Sequence, residues 1–229
     1  MTTTITRVFT GFEPDALQFL IELSANNDRS WFQQRKAEYE RLLKEPFEAL
    51  CLTLGEVFAA RGIPLTADER SPFRIYRDVR FSKDKSPYKT HLAASFPLAS
   101  GLGGGHGVGG YFHFEPDHSY LGGGMWHPER PRLEAWRALV DTDPGRVHAL
   151  IDDPSFTAEF GELEGEQLAR VPTGYAADHP ESHLLRFKDV TFGRRVSDEE
   201  ALLADLPDRL ADSFAVATPV IRLLAELPG

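Results

Sequence analysis

The chain has 229 residues, of which 41% are hydrophobic and 26% are charged, a composition typical of globular proteins rather than of disordered or fibrous ones. Its formal net charge of −10 argues against general binding of polyanions, because the summed field repels phosphate backbones, so any anion site has to be local. The single cysteine, Cys51, excludes an intrachain disulfide, a cysteine-based zinc site and an iron–sulfur cluster, and is typical of a reducing compartment.

The sequence predicts a cytoplasmic protein with no membrane association. Residues 1–11 have no basic stretch followed by an apolar run, so no signal peptide is expected. The longest uncharged stretch, 90–114, contains many glycines, Pro97 and three histidines, which makes it unsuited to a membrane helix.

The first third of the chain predicts helices between residues 12 and 62. Pro14 fits a first helical position, and apolar residues follow at helical spacing. Asp28 is expected to cap a second helix, and Pro46 to start a third that ends at Gly62. Cys51 lies beside the apolar face of that third helix, which predicts a buried, unreactive thiol.

From residue 73 the pattern changes to a period of two, which predicts a half-buried strand over 73–81. Its buried face would carry Phe73, Ile75, Val79 and Phe81, interrupted by Arg77, and its exposed face Arg74, Tyr76, Asp78 and Arg80. Further strands are predicted at 91–98, 111–115 and 187–196. A loop with seven glycines between residues 101 and 110 would join the first two of these.

Helical patterns return over 128–151 and in a tail that begins at Ser197, with interruptions expected near Pro207 and at Pro219. The order of elements predicts one α+β domain over 1–229, helical in 12–62, sheet-forming in 70–127, and helix-rich with a late strand in 128–229. We expect an antiparallel or mixed sheet, packed by the N-terminal and C-terminal helices.

The strongest charge signal is the segment 70–91, here termed the basic window. It holds seven basic and two acidic residues, a formal charge of +5 against −15 for the rest of the chain. On a strand, arginines and a tyrosine of this segment would converge on a phosphate or carboxylate, although a solvated sheet edge protected by its charges is the alternative. The predicted ligand-binding residues are Arg74, Tyr76, Arg77, Arg80, Lys83, Lys85 and Lys89.

A polar row is predicted on the strand 111–115, where Tyr111, His113 and Glu115 alternate with two phenylalanines. Imidazole and carboxylate on one strand face can serve as a general acid/base pair, so these three residues are the predicted catalytic group. The same pair could instead ligate a metal together with a distant histidine, His179 or His183.

That metal hypothesis would use Arg186 to hold a carboxylate co-substrate. The chain offers too few strands for the barrel of iron oxygenases, and the basic window would repel a cation, so no metal and no cofactor are predicted. The segment 105–110 matches G-x-G-x-x-G, but a strand is expected after it where a dinucleotide site needs a helix. It is interpreted as a flexible hairpin loop, with a mobile lid as the alternative.

Several segments resemble the domain-of-unknown-function family 2461, an uncharacterised and mainly bacterial family: 26–32, 73–91, 111–116, 121–126 and 178–180. The likeness covers nearly the whole chain and implies a single-domain protein, with no established reaction or ligand to carry over. It includes the basic window, the polar row and the triple glycine 122–124. The residues His106, His118, His127 and His183 are not part of the resemblance.

These patterns favour an intracellular protein that binds a small anionic, phosphorylated ligand between the basic window and the polar row, and catalysis on that ligand is only slightly favoured over binding alone. In this hypothesis Arg74, Arg77, Arg80 and Lys83 neutralise the anion, while His113 or Glu115 moves a proton. The alternatives are the metal-dependent enzyme and a non-catalytic module that binds nucleic acid or an acidic protein. Nucleic acid is the less favoured partner, because stacking needs exposed rings among Phe73, Tyr76, Phe81 and Tyr88, and the alternation predicts that Phe73 and Phe81 are buried.

Overall fold

A computed structural model describes residues 8–99 and 107–228. The first residues, used above to judge a signal peptide, and most of the glycine loop with its lid hypothesis lie outside these ranges. Within them, none of the helices combines the length and the apolar character that a membrane span requires.

The chain order of elements is helices, three strands, helices, one more strand and two final helices. A π-helical turn, Glu40–Lys44, joins the helices Lys36–Tyr39 and Glu45–Arg61. The helices are α1 Pro14–Ala25, α2 Arg29–Gln34, α3 Lys36–Tyr39, α4 Glu45–Arg61, α5 Arg130–Thr142, α6 Pro144–Ile151, α7 Pro154–Phe160, α8 Ser182–Leu185, α9 Asp198–Leu202 and α10 Leu206–Glu226. The strands are β1 Leu92–Pro97, β2 Val108–Phe114, β3 Tyr120–Met125 and β4 Val190–Arg195.

The four strands form one antiparallel sheet in the order β1-β2-β3-β4, which confirms the predicted α+β class. Isolated bridges extend the pairing at both edges. Leu65 and Pro72 pair with the β1 region, and Glu164 pairs with Thr191 of β4. These short pairings satisfy backbone groups that an open sheet edge would leave to solvent or to another chain.

Local capping explains where the predicted helices begin and end. The Asp28 carboxylate accepts hydrogen bonds from the backbone N–H groups of Ser30 and Trp31 at 2.8 and 2.9 Å, which starts α2. Gly62 adopts a left-handed φ of 66° and ends α4. Ser197 accepts from the Glu200 N–H at 3.1 Å and starts α9.

Aromatic packing joins the sheet to α4 and α10. The Phe214 ring of α10 makes edge contacts with Phe58 of α4 and Phe96 of β1, at centroid distances of 5.5 and 5.8 Å. Cys51 is fully buried in α4, as predicted, and burial raises the pKa of its thiol. We call the sheet face that meets these helices the inner face and the opposite one the outer face.

The predicted strand over 73–81 is wrong. Phe73 donates its N–H to the Ala93 carbonyl. If this antiparallel pairing continued without a break, Ile75 would lie opposite His91. Instead, the Ile75 carbonyl accepts from the Lys89 N–H, so the register has changed between residues 73 and 75. This change of register breaks the ladder into isolated bridges and disrupts the alternation of faces. Ile75 is buried as expected, but Phe73 is 45% and Phe81 95% exposed.

One strand that the sequence did not predict contains glycines, and one helix interruption that it did predict, at a proline, is wrong. Residues 122–124, which carry no strand pattern because they are glycines, lie within β3. Pro219 lies inside α10 and does not interrupt it, whereas the break expected near Pro207 falls between α9 and α10. Burial of Val220 and Ile221 just beyond the proline offsets the backbone hydrogen bond that proline removes.

We predict that Gly193→Ala destabilises the protein by about 2 kcal/mol. A Cβ at Gly193 would collide with the phenol of Tyr120, which lies across the outer face, and would come within 2.7 Å of the Leu121 carbonyl oxygen. The matched control is Gly145→Ala in α6, where the nearest atom to a new Cβ is 3.9 Å away. Urea unfolding measures both, and equal stabilities of the two variants would contradict the packing described here.

Candidate functional site

Three polar side chains lie in a row across the outer face of the sheet. The register places His113 of β2 opposite Tyr120 of β3, and Tyr120 opposite Arg195 of β4. The rings of His113 and Tyr120 are stacked with centroids 5.9 Å apart. Burial alternates along β2, with Phe112 fully buried on the inner face, so the polar row predicted there does face away from the core.

Both ring nitrogens of His113 are engaged. Nε2 lies 2.6 Å from the backbone carbonyl oxygen of His118, which can only accept, so Nε2 carries a proton. Nδ1 lies 3.3 Å from the Tyr111 hydroxyl and accepts from it when the imidazole is neutral. Burial and, less strongly, Glu115 raise the pKa of Tyr111, which keeps its hydroxyl protonated as the donor. These contacts fix the orientation and tautomer of the imidazole.

Glu115 reaches this cluster from the end of β2. Its Oε2 lies 3.9 Å from His113 Nε2, and its Oε1 accepts from the Thr90 hydroxyl at 3.4 Å. Both distances are long for hydrogen bonds, so the carboxylate keeps most of its capacity to accept. Of the three residues predicted to be catalytic, Glu115 is therefore the one best able to bind a ligand directly.

His91 joins the cluster from the end of the basic window. Its ring centroid lies 5.6 Å from that of His113. Burial lowers the pKa of His91 below its ordinary value, against an opposing effect of the Glu115 carboxylate. Burial thus favours the neutral form of this imidazole.

A cavity of about 480 Å³ opens on the outer face beside these groups, a volume suited to a small metabolite. The Tyr120 hydroxyl donates to Glu164 Oε2 at 2.8 Å across the cavity wall. Burial and this hydrogen bond to a carboxylate both raise the pKa of Tyr120. The lining residues are His113, Glu115, His118, Tyr120, Glu164, Gly193, Arg194 and Arg195.

Arg195 brings a positive charge to the cavity. Its Nη1 contacts the Asp117 carbonyl oxygen at 3.3 Å and His118 Nδ1 at 3.0 Å. Because a guanidinium only donates, His118 accepts at Nδ1 and is neutral in this contact. In the described ranges Arg195 forms no ion pair, whereas the neighbouring Arg194 bonds two carboxylates, those of Glu159 and Glu200.

The basic window is largely occupied by its own contacts. Arg77 pairs with Asp84, and Arg80 pairs with Asp78 at 2.6 Å. The Lys85 ammonium donates to the Val79 carbonyl oxygen at 2.9 Å. These three predicted anion ligands are therefore bound within the window itself and not gathered at the polar row.

The other predicted ligand residues have different surroundings. Lys89 lies over the ring of Phe73, and its charge also acts on His91 of the polar cluster. Tyr76 packs on the ring of Tyr88 at 5.4 Å. Arg74 and Lys83 are exposed.

The distant histidines of the metal hypothesis have other surroundings. His179 Nε2 lies 3.2 Å from Asp141 Oδ1, and its Nδ1 accepts from the Glu181 N–H. His183 is exposed on α8, and the Arg186 Nε finds no hydrogen-bond partner within the described part of the chain. Across residues 8–99 and 107–228, no group of three His, Cys, Asp or Glu side chains is arranged to hold a metal ion.

An α+β protein with a four-stranded antiparallel sheet and a polar cavity on its outer face is the class that these features define. The chain belongs to the family DUF2461, described as a conserved hypothetical protein, whose model matches residues 15–222. The family predicted from the sequence is thus confirmed. No curated protein and no solved structure matches the chain.

The sequence interpretation missed six of the eight residues that line the cavity, among them His118, Tyr120, Glu164 and Arg195. The sequence feature that could have indicated this wall is Arg195, which falls in the late strand predicted over 187–196. Glycine at residue 193 and a second arginine at 194 left that strand without a readable apolar face. Glu164 reaches the wall only because its backbone pairs with β4, which no local pattern indicates.

We predict that the free energy of unfolding falls less on acidification in His91→Gln than in wild type. Because burial lowers the folded-state pKa of His91 from 6.5, the unfolded chain takes up this proton first as the pH falls. The contribution of the neutral imidazole to the free energy of unfolding is therefore fully present at a pH above the pKa that His91 has in the unfolded chain. It is lost as the pH falls below that value.

Urea unfolding at about pH 7.5 and about pH 5.5 measures this difference for wild type and His91→Gln. The matched control is His183→Gln, which removes an exposed imidazole. An identical fall in unfolding free energy for wild type and His91→Gln would show that His91 is not buried in its neutral form.

Proposed function

We propose that the protein binds a small anion that also bears hydroxyl groups, such as a phosphorylated metabolite, in the cavity on the outer face. The observation that carries this proposal is Arg195, whose contacts are with neutral acceptors while its charge faces a cavity of metabolite size. A guanidinium that lacks an internal carboxylate still has donors free to bind a phosphate or carboxylate oxygen.

The other charges of the wall restrict the ligand. Glu115 and Glu164 also line the cavity, so a bare phosphate at Arg195 would lie near two carboxylates that repel it. Hydroxyl or amine groups elsewhere on the ligand would donate to these carboxylates and turn the repulsion into hydrogen bonds. Rings of His113 and Tyr120 offer a flat wall for the body of such a molecule.

Within this proposal, Glu115 rather than His113 is the group placed to take a proton from the ligand. His113 would have to give up a 2.6 Å hydrogen bond before its Nε2 could act, and its Nδ1 faces Tyr111. We therefore assign His113 and Tyr111 to positioning. Of the predicted ligand-binding residues of the basic window, Lys89 contributes indirectly, through its charge near His91.

We predict that Arg195→Gln weakens binding of the anion by roughly 10- to 100-fold, as expected when a charged hydrogen bond is lost. Thermal unfolding with a panel of sugar phosphates, nucleotides, inorganic phosphate and carboxylates finds the ligand. At 100 times its dissociation constant, a ligand stabilises the wild type by about 2.7 kcal/mol.

The matched control is Arg222→Gln, which removes an exposed arginine from α10, on the inner side of the sheet. It should keep the full ligand response. If no panel member stabilises wild type more than Arg195→Gln, the proposal fails. A response that survives in Arg195→Gln but is lost in Arg80→Ala would place the anion in the basic window instead.

A further inference from the structure

The basic window exposes three aromatic rings, of which the sequence pattern had placed Phe73 and Phe81 in the core and Tyr76 on the surface. Phe73 is 45%, Tyr76 49% and Phe81 95% exposed. Among the residues that the structure describes, Trp126 is the one other aromatic side chain in the exposed class. Large apolar side chains concentrated on one exposed segment mark a binding surface, because water solvates them poorly.

Each of these rings lies beside a cation or a second ring. The Lys89 ammonium lies 5.2 Å from the ring centre of Phe73, and the Arg80 guanidinium lies 5.8 Å from that of Phe81. Tyr76 packs on Tyr88, which is itself buried and stacked on Phe32 at 4.1 Å. Each exposed ring thus has a cation or a second ring beside it.

The charge of this segment sets it apart from the rest of the molecule. The basic window keeps a formal charge of +5 after both of its aspartates are counted, although the whole chain carries −10. At physiological salt the Debye length is about 8 Å, so a bound partner responds to these nearby charges more than to the distant net charge.

We propose that the basic window binds single-stranded nucleic acid, with bases stacked on Phe73, Tyr76 and Phe81. Exposed lysines and arginines of the window, such as Arg74 and Lys83, would contact the backbone phosphates. Rings alternating with cations are the arrangement that sequence-tolerant single-strand binding uses. An acidic protein segment would pair with the cations but leave the rings unused, and paired bases in a duplex could not stack on them.

Fluorescence anisotropy with labelled single-stranded oligonucleotides of roughly 15 nucleotides tests the proposal. Phe81→Ala should bind roughly 5- to 150-fold more weakly than wild type, the range for loss of one stacked base. Because Phe81 is 95% exposed, this variant keeps its fold, which thermal unfolding verifies. Trp126→Ala, the matched change at an exposed ring outside the window, should bind like wild type.

Salt titration between about 50 mM and about 200 mM gives the number of phosphates contacted. Lys83→Gln should lower the slope of log K against log salt by about 0.7, the value for one phosphate on a single strand. Absence of binding at low salt, or equal binding by Phe81→Ala and wild type, overturns the proposal. Binding of polyglutamate in place of the oligonucleotide would also overturn it and assign the surface to an acidic protein.

The proposal for the basic window and the proposal for the cavity can be tested independently of each other. Arg195→Gln should retain oligonucleotide binding, since Arg195 lies on β4 and outside the basic window. Loss of oligonucleotide binding in that variant, with Phe81→Ala unaffected, would move nucleic-acid binding to the cavity and contradict the assignment to the window.

Discussion

The pairing register of β2, β3 and β4 is the constraint on which the cavity depends. It places His113, Tyr120 and Arg195 side by side on the outer face. A slip of one residue would turn these side chains inward and bring Phe112 to the outer face, at the cost of its buried packing. The aromatic contacts of the inner face therefore hold the polar groups of the outer face in place, although they never touch a ligand.

The arginines differ in whether a carboxylate forms an ion pair with them, and this difference separates their roles. Arg194 projects toward the helices and bonds two carboxylates, which makes it part of the structure that holds β4. Arg195, the next residue, projects to the opposite face and bonds the Asp117 carbonyl oxygen and His118 Nδ1. Arg77 and Arg80 resemble Arg194, because their aspartate partners satisfy them locally. A high density of basic residues in a sequence thus does not by itself locate a site for an anion.

The change of register before β1 gives the basic window a different character from that of a sheet strand. A continuous strand would have buried Phe73 and Phe81 together with Ile75, and the segment would then have been a charged sheet edge. Isolated bridges at Pro72 and Tyr76 bury Ile75 but leave the two phenylalanines outside. The change of register, which makes the strand prediction wrong, also leaves rings and cations exposed on a segment separate from the cavity.

Local rules sufficed to predict from the sequence the capped helix starts at Asp28 and Ser197, the polar row on β2 and the buried Cys51, because capping and periodicity act over a few residues. They failed for β3, whose glycines carry no side-chain pattern, and at Pro219, where burial of the helix outweighs a lost hydrogen bond. The cavity joins groups from β2, β4 and the segment around Glu164, and this proximity arises from long-range pairing alone. The sequence by itself determined the α+β class, the family and the identity of the polar row. Only the tertiary structure decided which cations remain free and which rings stay exposed, because both depend on partners distant in the chain.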